Sequence, residues 1–136
     1  SSSYILHALK KNGKGTLYSI DDTFRPWETK KMIGAAIPDE LKQNWKLMIG
    51  KSSDKLKEIS SSMKNIDIFL HDSLHTYKNM YFEFDLMWSC IKKNGFLLSD
   101  DILDNNAFVD FYSTKKIIPS LLKNKSEKIS LGILKK

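Results

Sequence analysis

Apolar residues recur along this chain in two rhythms, and the alternation between them predicts its architecture. In "SSYILHALKKN", Tyr4, Ile5, Leu6, Ala8 and Leu9 fall at helical spacing, and the helix is expected to stop at Gly13 and Gly15. "TLYSI", residues 16–20, is a short run of β-formers leading into Asp21–Asp22. Residues 23–38, with Pro26 and Pro38, read as loop or irregular helix. A short helix at about 39–44 and a strand at "WKLMIG", 45–50, follow. "SDKLKEISSSM", 53–63, predicts a helix capped by Ser53 with Leu56 and Ile59 on one face.

The second half repeats the alternation more strongly. "IDIFL", 66–70, is too short for a helix and reads as a strand covered on both sides. Between 77 and 92, Tyr77, Met80, Tyr81, Phe84, Trp88 and Ile91 recur every three or four residues and predict a helix with a broad buried face. Asn94–Gly95 should close it, with Gly95 supplying a positive φ. "FLLS", 96–99, is a strand running into Asp100–Asp101. Helices at about 105–113 and 117–123 precede a last strand in "KISLGILKK". Such alternation predicts an α/β fold, a mostly parallel sheet with helices on both faces. Ligands of such sheets sit at the carboxyl ends of the strands. Five carboxylates, Asp21, Asp22, Asp72, Asp100 and Asp101, fall at three of those ends.

Composition narrows the picture. A chain of 136 residues with 41% hydrophobic positions predicts one folded domain over residues 1–136. The net charge of +6 comes from scattered lysines, with Arg25 the one arginine, which reads as a solvated surface rather than a phosphate-reading patch. No nucleic-acid partner is therefore expected. Cys90 stands alone inside the long helix, so neither a disulfide framework nor a thiolate metal site is expected. No apolar run approaches the roughly 18–20 residues of a membrane span. The opening "SSSYILHALKK" lacks the pattern of a secretory signal, so the expectation is a cytoplasmic protein without a membrane partner.

The acids and histidines carry the candidate chemistry. Asp21, at a strand end, can accept hydrogen bonds from both ribose hydroxyls of a nucleoside, or it is a turn acid. Asp72, Asp100 and Asp101 would repel one another unless a divalent ion, a cationic ligand or protonation compensates; otherwise one caps a helix while its neighbour faces water. His71 ends a strand, with its side chain expected to point away from Asp72, and His75 lies in the following turn. The roles open to them are metal ligand, general base and hydrogen-bonding structural residue. Tyr77, Phe84 and Trp88, at helical spacing, read as core rather than a stacking surface.

The block "IDIFLHDSLHTYKNMYFEFDLMW...KKNGFLLSDDI" resembles the middle of class I S-adenosylmethionine-dependent methyltransferases of the methyltransferase-24-like group. Asp72, His75, Tyr77, Asp85, Leu86, Trp88, Gly95, Asp100 and Asp101 follow the family pattern in order and spacing. The opening "SSSYILHALKKNGKGTLYSIDD" is similar to the segment between the nucleotide loop and the ribose-binding acid, and "LGILKK" to the last strand.

The resemblance implies a seven-stranded Rossmann-like sheet with the donor, S-adenosyl-L-methionine, across the first two strand ends. It places Asp21 at the ribose with Asp22 also binding the donor, Ser2 and Ser3 in the tail of the donor loop, Ser52 near the adenine and Asp72 at the methionine end. By the same resemblance Asp72, Asp100 and Asp101 would bind Mg2+ or another divalent cation, with His75 as the base. The family's first strand and glycine-rich loop would precede Ser1, so the chain is expected to be N-terminally incomplete and to lack the strand that is central in the family's sheet. The implied activity is O-methylation of a small-molecule or sugar-like acceptor, and a homo-oligomer is compatible with it. Loops 22–38 and 101–116, with Phe24, Trp27, Phe108 and Phe111, are expected to shape the acceptor pocket. The rivals are a nicotinamide-dependent enzyme, for which the chain shows no Gly-x-Gly-x-x-Gly element, and a non-catalytic remnant acting as a binding module.

Overall fold

A computed structural model describes residues 2–22, 32–124, 126 and 128–136. Phe24, Arg25, Pro26 and Trp27 lie outside the described residues. The chain divides into two compact units, Ser1–Lys55 and Leu56–Lys136.

In the first unit, helix α1 (Ser2–Asn12) buries Leu6 and ends at Gly13, whose φ of 68° is the left-handed value that a residue with a Cβ resists. Strand β1 (Leu17–Asp21) runs parallel to β2 (Trp45–Ile49), in register from Leu17 opposite Trp45 to Asp21 opposite Ile49. A 3-10 helix, Asp39–Asn44, leads into β2 and buries Leu41 beside Leu6 and Ile37. Trp45 packs on this small core and donates its indole N–H to Ser19 Oγ at 2.9 Å. Helix α2 (Ser52–Ser62) begins one residue before the expected cap. Ser53 is inside it, and the Lys51 carbonyl accepts from the amides of Asp54 and Lys55.

The second unit is a four-stranded sheet in the order β3-β4-β6-β5, made by β3 (Ile66–His71), β4 (Ile91–Asp100), β5 (Ser120–Lys123) and β6 (Ile129–Lys135). β3 and β4 are parallel, and β6 runs antiparallel to both of its neighbours. Helices α3 (Tyr77–Cys90) and α4 (Ala107–Lys115) pack on one face through Met80, Phe84, Phe108 and Phe111, against Leu97 of β4 and Leu134 of β6. Phe84, Phe108 and Phe111 are fully buried, and each such burial contributes about 1.5–3 kcal/mol. They form edge-on and tilted pairs, Phe84–Phe111 at 5.5 Å and Phe84–Phe108 at 6.2 Å between ring centroids.

Several expectations change. Phe108 and Phe111 belong to this core and shape no acceptor pocket, because α4 turns both inward. Tyr77 lies outside the buried face of α3, 45% exposed. β3 is not covered on both sides, since Ile68 is 58% exposed. Residues 120–123 form strand β5 rather than a helix, paired with β6 from Ser120 opposite Ile133. Four residues carry too little periodicity to separate a strand from a helical turn, and sheet pairing decides the matter.

The helix closure also differs. α3 ends at Cys90 and the chain passes directly into β4 at Ile91, while the positive φ, 64°, falls on Asn94. Gly95 is required for space instead: a Cβ there would stand 2.8 Å from the Asp67 carbonyl oxygen. Among the described residues, no helix is long and apolar enough to cross a membrane.

Candidate functional site

Because β3 and β4 are parallel neighbours, with His71 opposite Ser99, the loops leaving them emerge at the same edge of the sheet. Residues alternate faces along a strand, so His71 and Ser99 both point toward the helices, and both are buried. His71 Nδ1 lies 3.5 Å from Ser99 Oγ, and its Nε2 lies 3.7 Å from Glu83 Oε2. Glu83 comes from the apolar face of α3 and is 1% exposed. Its Oε1 accepts from Ser73 Oγ at 3.0 Å and from Asn79 Nδ2 at 2.9 Å. Asn79 Nδ2 also reaches Ser73 Oγ and the Leu74 carbonyl, both at 3.1 Å. Burial pushes the His71 imidazole below its ordinary value, Glu83 opposes this, the neighbouring His75 adds to it, and Asp72 opposes it.

His75 lies in the β3–α3 loop, its ring edge-on to His71 with centroids 5.2 Å apart. Its carbonyl accepts from Asn105 Nδ2 at 3.2 Å, and Asn105 Oδ1 accepts from the Ala107 amide at 2.8 Å. One amide side chain therefore holds the first amide of α4 and ties the two loops together. In the β4–α4 loop Asp101 adopts a φ of 47°, and the turn closes with the Asp104 amide on the Asp101 carbonyl at 3.2 Å. His75 Nε2 lies 4.0 Å from Asp101 Oδ2 and, shielded from solvent, has no hydrogen-bond partner among the described residues. Among the described residues, His75, Asp101 and Asp104 are the group of three whose donor atoms all lie within 4.8 Å of one another. An imidazole nitrogen and two carboxylates form a donor set suited to Mn2+, Fe2+ or Zn2+ more than to Mg2+, which prefers all-oxygen surroundings.

Of the residues expected to bind metal, Asp101 falls in this group; Asp72 and Asp100 do not. Asp72 directly follows β3 and is exposed, and Asp100 is the half-buried last residue of β4. In the first unit Asp21 is the exposed last residue of β1, with half-buried Asp22 behind it. Ser2 and Ser3 form the half-buried first turn of α1, and Ser52 opens α2. The Tyr77 hydroxyl donates to Asp110 Oδ2 at 3.0 Å, and that carboxylate pushes the phenol above its ordinary value.

A family model described as a methyltransferase domain matches residues 1–102 of the 136. The chain belongs to that methyltransferase family. No curated protein matches it. Among solved structures, this methyltransferase chain is similar to a methyltransferase from Geobacter sulfurreducens at 16% identity and a TM-score of 0.60, covering 89% of this chain and 58% of that one. It is similar to a Staphylococcus aureus protein described as a caffeoyl-CoA O-methyltransferase at 10% identity and a TM-score of 0.65, over 98% and 81%. It is also similar to an O-methyltransferase from Bacillus cereus in complex with SAH at 11% identity and a TM-score of 0.63, over 90% and 63%. At these identities the likeness speaks for the Rossmann-like fold. The methyltransferase chain spans less than two thirds of the Geobacter and Bacillus structures.

Glu83, Ser73, Asn79, Ser99, Asp104 and Asn105 carry no motif in the sequence. The one available signal was Glu83 itself, an acid set among Met80, Phe84 and Met87 on the apolar stripe of α3.

Proposed function

We propose that residues 1–136 serve as one methyltransferase domain that moves a methyl group from S-adenosylmethionine to an oxygen of a small-molecule acceptor, with a divalent cation at His75, Asp101 and Asp104. The observation that carries this reading is the solvent-shielded His75 Nε2, which has no hydrogen-bond partner among the described residues and lies 4.0 Å from Asp101 Oδ2 beyond a strand end of a methyltransferase family member. The O-methyltransferase relatives support oxygen as the accepting atom. A cation bound there would lower the pKa of an acceptor hydroxyl. Methyl transfer is a displacement at carbon, so the chain's own contribution is to align the acceptor with the sulfonium and to keep the two loops fixed. Asp21 is assigned to the ribose with Asp22 also on the donor, Ser2 and Ser3 to the tail of the donor loop, Ser52 to the adenine and Asp72 to the methionine end.

The 4.0 Å approach of Asp101 also favours a second role for His75, in which Nε2 takes the acceptor proton and the carboxylate steadies the imidazolium. Calorimetric titration with Mn2+ separates the two. The cation reading expects binding that His75→Ala weakens by at least about 100-fold, beyond the 10–100-fold typical of outer partners. Absence of Mn2+ binding, with methyl transfer that survives chelator and is lost in His75→Ala, would establish the base role instead.

A further inference from the structure

A carboxyl group on the apolar stripe of a helix is costly, several kcal/mol unless its oxygens are satisfied. Glu83 occupies such a place, between Met80, Phe84 and Met87 on the buried face of α3. Three of its partners, Ser73, Asn79 and His71, lie on, reach back to, or lead into the loop that carries His75. Ser73 is in that loop, Asn79 reaches from the first turns of α3 to the Leu74 carbonyl, and His71 is the strand residue just before it. His71 in turn meets the His75 ring edge-on. A helix residue thus grips the loop before, within and after its turn.

We propose that Glu83 is a positioning residue: by holding Ser73, Asn79 and His71 it fixes residues 72–76 so that His75 Nε2 faces Asp101. It acts through the loop and touches neither acceptor nor donor. An apolar residue at position 83 would remove the burial cost of the carboxyl and leave Ser73, Asn79 and His71 without the acceptor that aligns them. The loop would keep Asn105 on the His75 carbonyl and Asn79 on the Leu74 carbonyl, but lose the carboxyl group on which Ser73, Asn79 and His71 converge. Asn105 ties the loop to the β4–α4 loop, and Glu83 ties it to α3 through Ser73 and Asn79.

The proposal rests on the cation reading only where Mn2+ serves as reporter, and amide hydrogen exchange tests it independently. Glu83→Ala is expected to raise exchange at residues 72–76 at least about tenfold, with β6 and the second half of α3 unchanged, and to weaken Mn2+ binding about 10–100-fold, the range for an outer partner of a ligand. Glu83→Gln keeps one acceptor oxygen for Ser73 and Asn79 and should restore most of both. Unchanged exchange at 72–76 in Glu83→Ala, or acceleration spread evenly over the unit without rescue by Gln, overturns the proposal. Should Glu83→Ala fail to fold, Ser73→Ala decides: it removes one link at a half-buried site and must loosen the same five residues. A wild-type chain that ignores Mn2+ refutes the cation reading, and the exchange data still judge Glu83.

Discussion

Two pairs of aspartates end strands in this chain, and they show how little a two-letter signature fixes. Asp21–Asp22 closes β1, and Asp100–Asp101 closes β4. Asp21 stays within its strand, its carbonyl accepting the Gly50 amide at 2.9 Å beside β2. Asp101 instead turns into the left-handed region, φ 47°, and the chain folds back to bring Asp104 alongside. The adjoining strand β3, parallel and in register at His71–Ser99, delivers His75 to the same edge. A pair of acids becomes part of a donor set through the backbone that follows it and the neighbour that sits beside it. The first pair suits neutral hydroxyl partners, and the second, with an imidazole added, suits a cation.

The comparison breaks most visibly by ligand. Asp101→Ala should reduce Mn2+ affinity by about 100-fold or more, as expected for a lost ligand rather than an outer partner. Asp100→Ala should change it less than about threefold, because strand alternation turns Asp100 away from the face of Ser99. Asp21→Ala should leave Mn2+ binding untouched and weaken S-adenosylhomocysteine binding about 10–100-fold, the loss of hydrogen bonds to a charged acceptor at about 1.5–3 kcal/mol. Calorimetry with each ligand checks all three. If Asp21→Ala and Asp101→Ala lose the same ligand, the two pairs do one job and the contrast is wrong.

The parts of this arrangement that could be read in the sequence are those where chemistry coincides with periodicity. Strands β1 and β3, the second half of β4 and the acids beyond them were legible because a short run of β-formers gives way there to acidic residues, whereas Ile91–Gly95 was expected to be the end of α3 and its turn. Helix α3 was legible from its aromatic spacing, although Tyr77, on the same stripe, faces outward to bond Asp110. Contacts distant in sequence were not legible. Gly95 is a glycine because Asp67, in the adjoining strand, approaches it, and the sequence can say only that a glycine follows Asn94. Phe108 and Phe111 look like pocket aromatics until α4 is docked on the sheet. Ser73, Asn79 and Asn105 have ordinary polar identities, and the bonds that tie the site together, Ser73 to Glu83, Asn79 to the Leu74 carbonyl and Asn105 to the His75 carbonyl, span 10, 5 and 30 residues. Asp104 joins the donor set only because Asp101 takes an uncommon φ, which no neighbouring residue announces.

A smaller effect sharpens the electrostatic side of the second pair. Burial holds the His71 imidazole below the ordinary value of 6.5 that it regains on unfolding. Between those two values the unfolded chain binds more protons than the folded one, so stability rises with pH. The contribution is fully present above about 6.5 and is lost as the pH falls toward the folded value. Glu83 and Asp72 oppose the shift and His75 reinforces it, so burial has to outweigh two carboxylates. Urea unfolding at pH 7.5 and 5.5 should show the wild type losing stability at the acid value and His71→Gln losing less. An equal loss in both proteins would mean that His71 titrates alike in the folded and unfolded chain.

The smallest expected effect concerns the bend that distinguishes the pairs. A left-handed φ costs a residue with a Cβ roughly 1–2 kcal/mol, less for aspartate, and glycine nothing. Asp101→Gly should therefore make the folded chain more stable than Asp101→Ala by about 1 kcal/mol, while both lose Mn2+ to the same extent because both lose the carboxylate. Paired denaturation and titration curves thus separate shape from chemistry at one position. Equal stabilities would show that the turn is held by its surroundings without strain at Asp101. Retained Mn2+ affinity in the glycine variant would show that His75 and Asp104 suffice, and that Asp101 contributes its backbone and not its side chain.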